Sequence, residues 1–289
     1  MKDTAMTSTT TVETIEDPDP SVAPLRRSAA TRSHRDSVAL IPNALASEWI
    51  KLSSLRSNRA ILVGTTAIGI VLVWALAVFA KTDNYTLEAY TIGNSFSFST
   101  WLSAVMALIA GTLMFTSEVQ HGTLANAITA QPARWVTVAA KTAIAAAFGF
   151  AMGAAGMLAG VSGGALGGLE AGDTSGMPAT AAWGLMLTTV AAVFGLGIGM
   201  IVRHSSAAIS ITLVWVFVIE NLIRGFTPAT VYRFLPFNPP NGLLNIPMTD
   251  DPEALAVALT RVQDALVFTS YTVAALTIGT ALLYRRDTN

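Results

Sequence analysis

The chain has 289 residues, of which 52% are hydrophobic and only 12% are charged, whereas about a quarter of the residues of an average soluble domain are charged. This composition excludes an ordinary soluble enzyme, because the polar residues could not cover so much apolar surface, and it excludes disorder along the whole chain. The 17 Lys and Arg residues are balanced by 18 Asp and Glu residues and there is no cysteine, so we expect no nucleic-acid partner, no metal site and no cofactor.

Residues 1–42 differ in kind from the rest of the chain. They are rich in Thr, Ser, Asp, Pro and Arg and show no hydrophobic period. This pattern predicts a disordered cytoplasmic tail rather than a signal peptide, and it leaves open a regulatory or docking role. The remaining residues, 43–289, are predicted to form one membrane domain.

The first segment of this domain, residues 44–57, has the pattern of an amphipathic helix. Leu45, Trp49 and Leu52 recur at helical spacing and define one apolar face. The charged positions of the helix are Glu48, Lys51 and Arg56. Because tryptophan and long basic side chains suit the membrane interface, we expect the helix to lie there, just before the first span.

Six charge-poor segments follow and predict an all-α polytopic membrane protein. The first, residues 60–80, is 21 residues long without a charge. As a helix it measures about 31 Å, which is close to the hydrocarbon thickness of a bilayer. The six predicted spans lie near residues 60–80, 98–117, 139–160, 180–202, 205–223 and 265–284.

The fifth span contains Glu220, the one acid that the sequence places inside the membrane. It closes a short charge-free run that begins at Ser205. A carboxylate in a span is costly and marks a functional candidate, whereas pairing with Arg224 four residues later is a structural explanation. The sequence leaves both interpretations open.

Glycines recur at intervals of four residues along the third span, a spacing that lets helix backbones approach closely. The pairs are Gly149/Gly153, Gly156/Gly160, Gly160/Gly164 and Gly164/Gly168. We expect these glycines to serve helix packing. The chain contains no GxxxxGK[ST] phosphate loop, so we expect it neither to bind nor to hydrolyse ATP.

The distribution of basic residues predicts the orientation of the spans. With the tail inside, thirteen of the 17 basic residues fall on inner segments, and the four on outer segments are Lys81, Arg224, Arg233 and Arg261. Positive charge favours the cytoplasmic side of a membrane. Both termini are therefore predicted to be cytoplasmic.

Two segments carry a resemblance to a known family. "SEWIKLSSLRSNRA" (47–60) resembles the sequence that precedes the first span of type-2 ABC exporter permeases. "SEVQHGTLANAITAQPARWVTVAAK" (117–141) resembles their first cytoplasmic loop, with an acid, Gly-Thr, Pro with a basic residue, and Ala-Lys. The six-span layout and the long outer segment before the last span are similar to the family as well.

The resemblance implies a plasma-membrane half-transporter that exports a small molecule, peptide or lipid. Such permeases pair as homodimers or with a paralogue, and they bind two copies of a separate ABC ATPase. It further implies that Glu118, Gly122 and Thr123 belong to the segment coupled to the ATPase, and that Glu48, Lys51 and Arg56 belong to the helix before the first span. The permease itself is then a transport subunit and not an enzyme.

Two alternatives to an ATP-driven exporter remain open at the level of sequence. An ion-gradient-driven secondary transporter needs ionisable groups near the middle of the membrane, and the predicted spans are nearly free of them. A non-transporting membrane subunit of a regulatory or immunity complex shares the expected ATPase partner.

Overall fold

The computed structural model describes residues 40–54, 56–82, 91–124, 134–246 and 251–286. The chain divides into two units, Met1–Leu40 and Ile41–Asn289, and every described helix lies in the second. The described residues are helical or form turns, without strands. The predicted tail lies outside them apart from residues 40–42, and Ile41 and Pro42 already belong to the first helix.

Long apolar helices dominate the fold. In chain order the described helices are α1 (Ile41–Ser54), α2 (Arg56–Thr82), α3 (Ile92–Gln120), α4 (Arg134–Leu166), α5 (Met177–Val202), α6 (Ser205–Phe226), α7 (Ala229–Tyr232), α8 (Pro239–Leu243), α9 (Pro252–Ala256) and α10 (Arg261–Arg286). Helices α2 to α6 and α10 are long and apolar enough to cross a membrane, which confirms the prediction of six apolar membrane-spanning helices.

Helix α1 lies against the bundle, and Leu45 and Leu52 of its predicted apolar face pack there. Ala44 is buried and Leu45 packs beside it against α4, whereas Trp49 is exposed. The side of α1 that faces the bundle also carries Glu48 and Lys51, and the placement of this helix at the membrane interface stays a prediction. Arg56, predicted to lie on this helix, is instead the first residue of α2.

The core of the bundle is formed by α3, α4 and α5, and α2, α6 and α10 lie around it. The closest contact joins α3 to α5, where two glycines face carbonyl groups of the opposite helix. Gly111 of α3 lies against the Ala192 carbonyl, and Gly195 of α5 lies against the Leu108 carbonyl. The Thr112 hydroxyl donates to the Gly195 carbonyl at 3.1 Å, so this contact is made between backbones and leaves no room for a side chain.

The glycine series of α4 packs against its neighbours as predicted. Gly149 lies against Thr188 of α5, and Gly160 lies against Phe96 of α3. Gly168 is an exception because it follows the end of α4 and adopts a left-handed conformation, with φ of 70°. Gly168 therefore terminates α4 and does not pack this helix against a neighbour.

One end of the bundle, termed the α1 end, brings together the end of α3, the start of α4, the start of α6 and the end of α10. The Ser205 hydroxyl lies 2.7 Å from Gln120 Oε1. Arg134 donates to the carbonyls of Leu283 and Tyr284 at 3.4 and 3.3 Å. A guanidinium at this place satisfies carbonyls that the last turn of α10 would leave without partners.

The opposite end, termed the α8 end, brings together the starts of α3, α5 and α10 and the end of α4. The Ile92 amide donates to the Glu170 carbonyl at 3.0 Å. Arg261 at the start of α10 donates to the Thr180 hydroxyl at 3.1 Å. Consecutive spans from α3 onward therefore run in alternating directions.

The backbone contact between α3 and α5 predicts that Gly111→Ala destabilises the fold. The added methyl group would meet the Ala192 carbonyl, which cannot move without displacing α5, and overpacking of this kind costs about 1–3 kcal/mol. Gly64→Ala is the matched control, since a methyl group at Gly64 meets nothing within 4 Å. Thermal unfolding in one detergent should show a lower midpoint for Gly111→Ala alone, and equal midpoints would contradict the packing described.

Candidate functional site

Four charged side chains from three helices meet at the α1 end. Glu48 and Lys51 come from α1, Glu118 from the last turn of α3, and Lys141 from the second turn of α4. Lys141 Nζ lies 2.6 Å from Glu118 Oε1 and 3.0 Å from Glu48 Oε2. Lys51 Nζ lies 2.7 Å from Glu48 Oε1 and 3.1 Å from Glu118 Oε1. We term this set the charge cluster.

The charge cluster is buried unevenly. The Lys141 side chain is only 4% exposed and the two glutamates are 12% exposed each, whereas Lys51 is 44% exposed. A buried ammonium group is tolerated only where anions compensate its loss of hydration. Both carboxylates therefore compensate the buried Lys141 ammonium group, whereas Lys51 lies on the solvent side of the cluster.

Local structure places each of the four residues. Glu48 and Lys51 are one turn apart on α1 and so lie on the same side of the helix. The face of α1 that presents them is held on α4 by the small apolar cluster of Ala44, Val136 and Ala140. This contact sets α1 at the height where Glu48 reaches Lys141.

Glu48 and Lys51 stay ionised near neutral pH. Burial alone would raise the pKa of Glu48, but Lys141 and Lys51 together hold the pKa of this carboxyl below its ordinary value of 4.5. Burial alone would lower the pKa of Lys51, but its hydrogen bond to Glu48 and the charges of Glu118 and Glu48 raise the pKa above 10.5. Both groups are thus charged between these two values.

The remaining residues of the predicted coupling segment follow Glu118 directly. Gly122 is left-handed, with φ of 68°, and it ends α3. The Thr123 hydroxyl donates to the Glu118 carbonyl at 3.3 Å, which folds the chain back over the helix end. Residues 125–133 of this loop lie outside the described residues. The arrangement brings Thr123 beside the charge cluster, but Arg56 has no part in it.

Lys141 was missed as a site residue by sequence reasoning. It stands at the end of the Ala-Lys motif quoted above, so a signal was present. The motif could not show that the lysine is buried, because burial depends on the position of α1 relative to α4.

Glu220 lies at the other end of the molecule and does not join the cluster. Its side chain is buried at 2% exposure, and its two oxygens accept the Phe237 amide at 2.9 and 3.1 Å. Arg224, the predicted partner, donates to Asn238 at 3.1 Å instead. This hydrogen bonding holds the segment before α8 against α6. Glu220 itself directly follows a π-helical turn at Trp215–Ile219.

The burial of Lys141 predicts that Lys141→Met is far more damaging than Lys51→Met. Without Lys141, two buried carboxylates face each other with one partly exposed cation, and breaking such a buried pair costs about 3–5 kcal/mol of unfolding free energy. Loss of the exposed Lys51 should cost less than about 1 kcal/mol. Thermal unfolding of both variants in the same detergent measures the difference, and similar midpoints would show that the cluster does not stabilise the α1 end.

One comparison with known proteins identifies the family. Residues 44–221 match the family model described as "ABC-2 family transporter protein", which covers most of α1, all of α2 to α5 and most of α6. Neither a curated protein nor a solved structure shows significant similarity to the chain. Since the match spans more than half of the chain and coincides with its apolar helices, the chain belongs to the ABC-2 family of transporter membrane proteins.

Proposed function

We propose that the chain is the permease subunit of an ATP-driven exporter in the plasma membrane. Two copies, or one copy and a paralogue, form the transport path and bind two copies of a separate ABC ATPase. The observation that carries this proposal is the charge cluster, which joins α1 and the end of α3, the two segments that the family resemblance places next to the ATPase, to the start of α4.

The orientation in this proposal puts the α1 end in the cytoplasm. The excess of basic residues on the predicted inner segments supports it. So does the exposed side of α1, where Trp49 and Ile50 face away from the bundle and suit a helix lying in the headgroup region. The α8 end then faces outward.

When the ATPase moves the loop after α3, or moves α1, the charge cluster transmits this movement to the spans. Helix α3 is in backbone contact with α5 through Gly111 and Gly195, so α3 cannot shift without moving α5. Ionic contacts between three helices can rearrange as a set, which is what a two-state coupling element requires.

The hydrogen bonding of Glu118 supports a movable rather than a locked cluster. Both lysines contact its Oε1, whereas Oε2 is buried and has no hydrogen-bond partner in the described part of the chain. An unsatisfied buried acceptor costs about 1–3 kcal/mol. Transfer of either lysine to Oε2 would offset that cost, so a second arrangement of the cluster lies close in free energy.

Cysteine labelling tests the orientation, and the cysteine-free chain is suited to it. Ser54→Cys and Glu253→Cys introduce exposed thiols at the α1 end and on α9 respectively. A membrane-impermeant maleimide should label only Glu253→Cys in intact cells and both variants after permeabilisation. Labelling of Ser54→Cys in intact cells would overturn the proposed orientation.

Two substitutions at the end of α3 test the coupling role. Glu118→Gln removes one of the two anions around Lys141, and Gly122→Val places a β-branched residue where φ is positive. Both should lower export of a compound to which the wild-type chain confers resistance, by about fivefold or more, at unchanged abundance in the membrane. Glu170→Gln, an exposed acid at the α8 end, should have no effect.

Purification tests the energy source. The chain should co-purify with a co-expressed ABC ATPase as a complex that hydrolyses ATP, and Glu118→Gln should retain the ATPase while losing export. Normal export by both coupling variants, or export by the chain without an ATPase, would contradict the proposal.

A further inference from the structure

A cavity of about 430 Å³ with charged residues in its walls opens at the α8 end. Its walls come from the end of α6, from α7, α8 and α9, and from the first turn of α10. It lies at the opposite end of the bundle from the charge cluster. Nothing in the proposed coupling mechanism accounts for it.

Three arginines line this cavity and carry unused hydrogen-bonding capacity. Within the described part of the chain, each donates one hydrogen bond to a neutral oxygen: Arg224 to Asn238 Oδ1 (3.1 Å), Arg233 to the Val257 carbonyl (2.9 Å) and Arg261 to Thr180 Oγ1 (3.1 Å). The Nε atoms of Arg224 and Arg233 are buried and lack a partner among the described residues. A guanidinium has five N–H donors in a planar fork that matches a carboxylate or a phosphate, so these three side chains form the donor set of an anion site.

Two of the guanidiniums are also held in place by aromatic rings. The Arg224 guanidinium carbon lies 5.6 Å from the ring centre of Tyr232, and that of Arg233 lies 4.7 Å from the ring centre of Phe234. Stacking restrains these side chains before any ligand arrives. Less conformational entropy is then lost on binding.

Asp264 supplies the opposite charge in the same cavity. It is only 3% exposed, yet its carboxylate accepts no hydrogen bond and has no cation within 4.0 Å among the described residues. Gly242 lets it sit there, because a side chain at this position would collide with the carboxylate. A buried carboxylate without a donor is costly, and a ligand ammonium group would satisfy it.

We infer that this cavity binds a zwitterion, in which a phosphate or carboxylate group lies close to a primary ammonium group. The arginines take the anionic oxygens and Asp264 takes the ammonium. Leu255, Leu259 and Ile246 line the same cavity and give an apolar part of the ligand a place to pack. Two sources share this chemistry: the headgroup of phosphatidylethanolamine, and a free amino acid or peptide.

The inference does not depend on the proposed export function, because it concerns binding by the chain alone. The purified full-length chain is titrated calorimetrically with phosphoethanolamine and with phosphocholine, which carries the same phosphate but has no N–H group. Wild type should bind phosphoethanolamine about tenfold more tightly than phosphocholine, the value of one charged hydrogen bond. Equal affinities would overturn the role of Asp264.

Variants separate the two halves of the site. Arg224→Gln with Arg233→Gln should weaken binding of both probes about tenfold or more, whereas Asp264→Asn should abolish only the preference for phosphoethanolamine. Arg59→Gln, at an exposed position of α2, is the control for the loss of a positive charge. Thermal unfolding checks that each variant is folded, and unchanged binding in the folded arginine variant would overturn the site.

Further probes distinguish the two sources. Alanyl-alanine should compete with phosphoethanolamine if the ligand comes from water. Retention of phosphatidylethanolamine over phosphatidylcholine in native mass spectrometry, lost in Asp264→Asn, would assign the site to the membrane. Binding of none of these probes by folded wild-type protein would overturn the inference.

Discussion

The burial of the Lys141 ammonium group is the constraint on which the α1 end depends. An ammonium ion so far from solvent is tolerated only beside compensating anions, and the chain supplies two of them from two different helices. Glu48 contacts Lys141 only if α1 lies along the bundle, and Glu118 contacts it only if α3 extends to the same height. One buried charge thus links three helices at the α1 end.

A continuous series of contacts connects this end of the molecule to the other. The end of α3 meets the start of α6, where the Ser205 hydroxyl lies 2.8 Å from that of Thr116. At the far end of α6, Glu220 holds the Phe237 amide and so positions the segment before α8. The cavity lined by Arg224 and Asp264 begins at the same place. Movement of α6 would therefore also move the walls of the cavity at the α8 end.

The charge cluster and the cavity at the α8 end differ in how completely their charged groups are paired within the protein. In the charge cluster, two acids and two bases neutralise one another, and a single buried oxygen remains without a partner. The cavity at the α8 end combines three arginines with one aspartate, and no ion pair forms there within the described residues. Charges that neutralise one another within the protein are expected of a structural or coupling element. Charges that have no partner within the protein are expected of a ligand-binding site.

The sequence by itself determined the membrane class, the number of spans and the family, because hydropathy and short motifs are local properties of the chain. It also singled out Glu48, Lys51, Glu118 and Glu220. It could not show that Lys141 joins Glu48, Lys51 and Glu118, nor that Glu220 accepts a backbone amide.

Only the tertiary structure brought Arg224, Arg233 and Asp264 around one cavity, since they come from segments up to forty residues apart that carry no shared pattern. The physical reason is the same in each case. The cost of a buried charge depends on what surrounds it in space, and those neighbours are chosen by helix packing, not by sequence proximity.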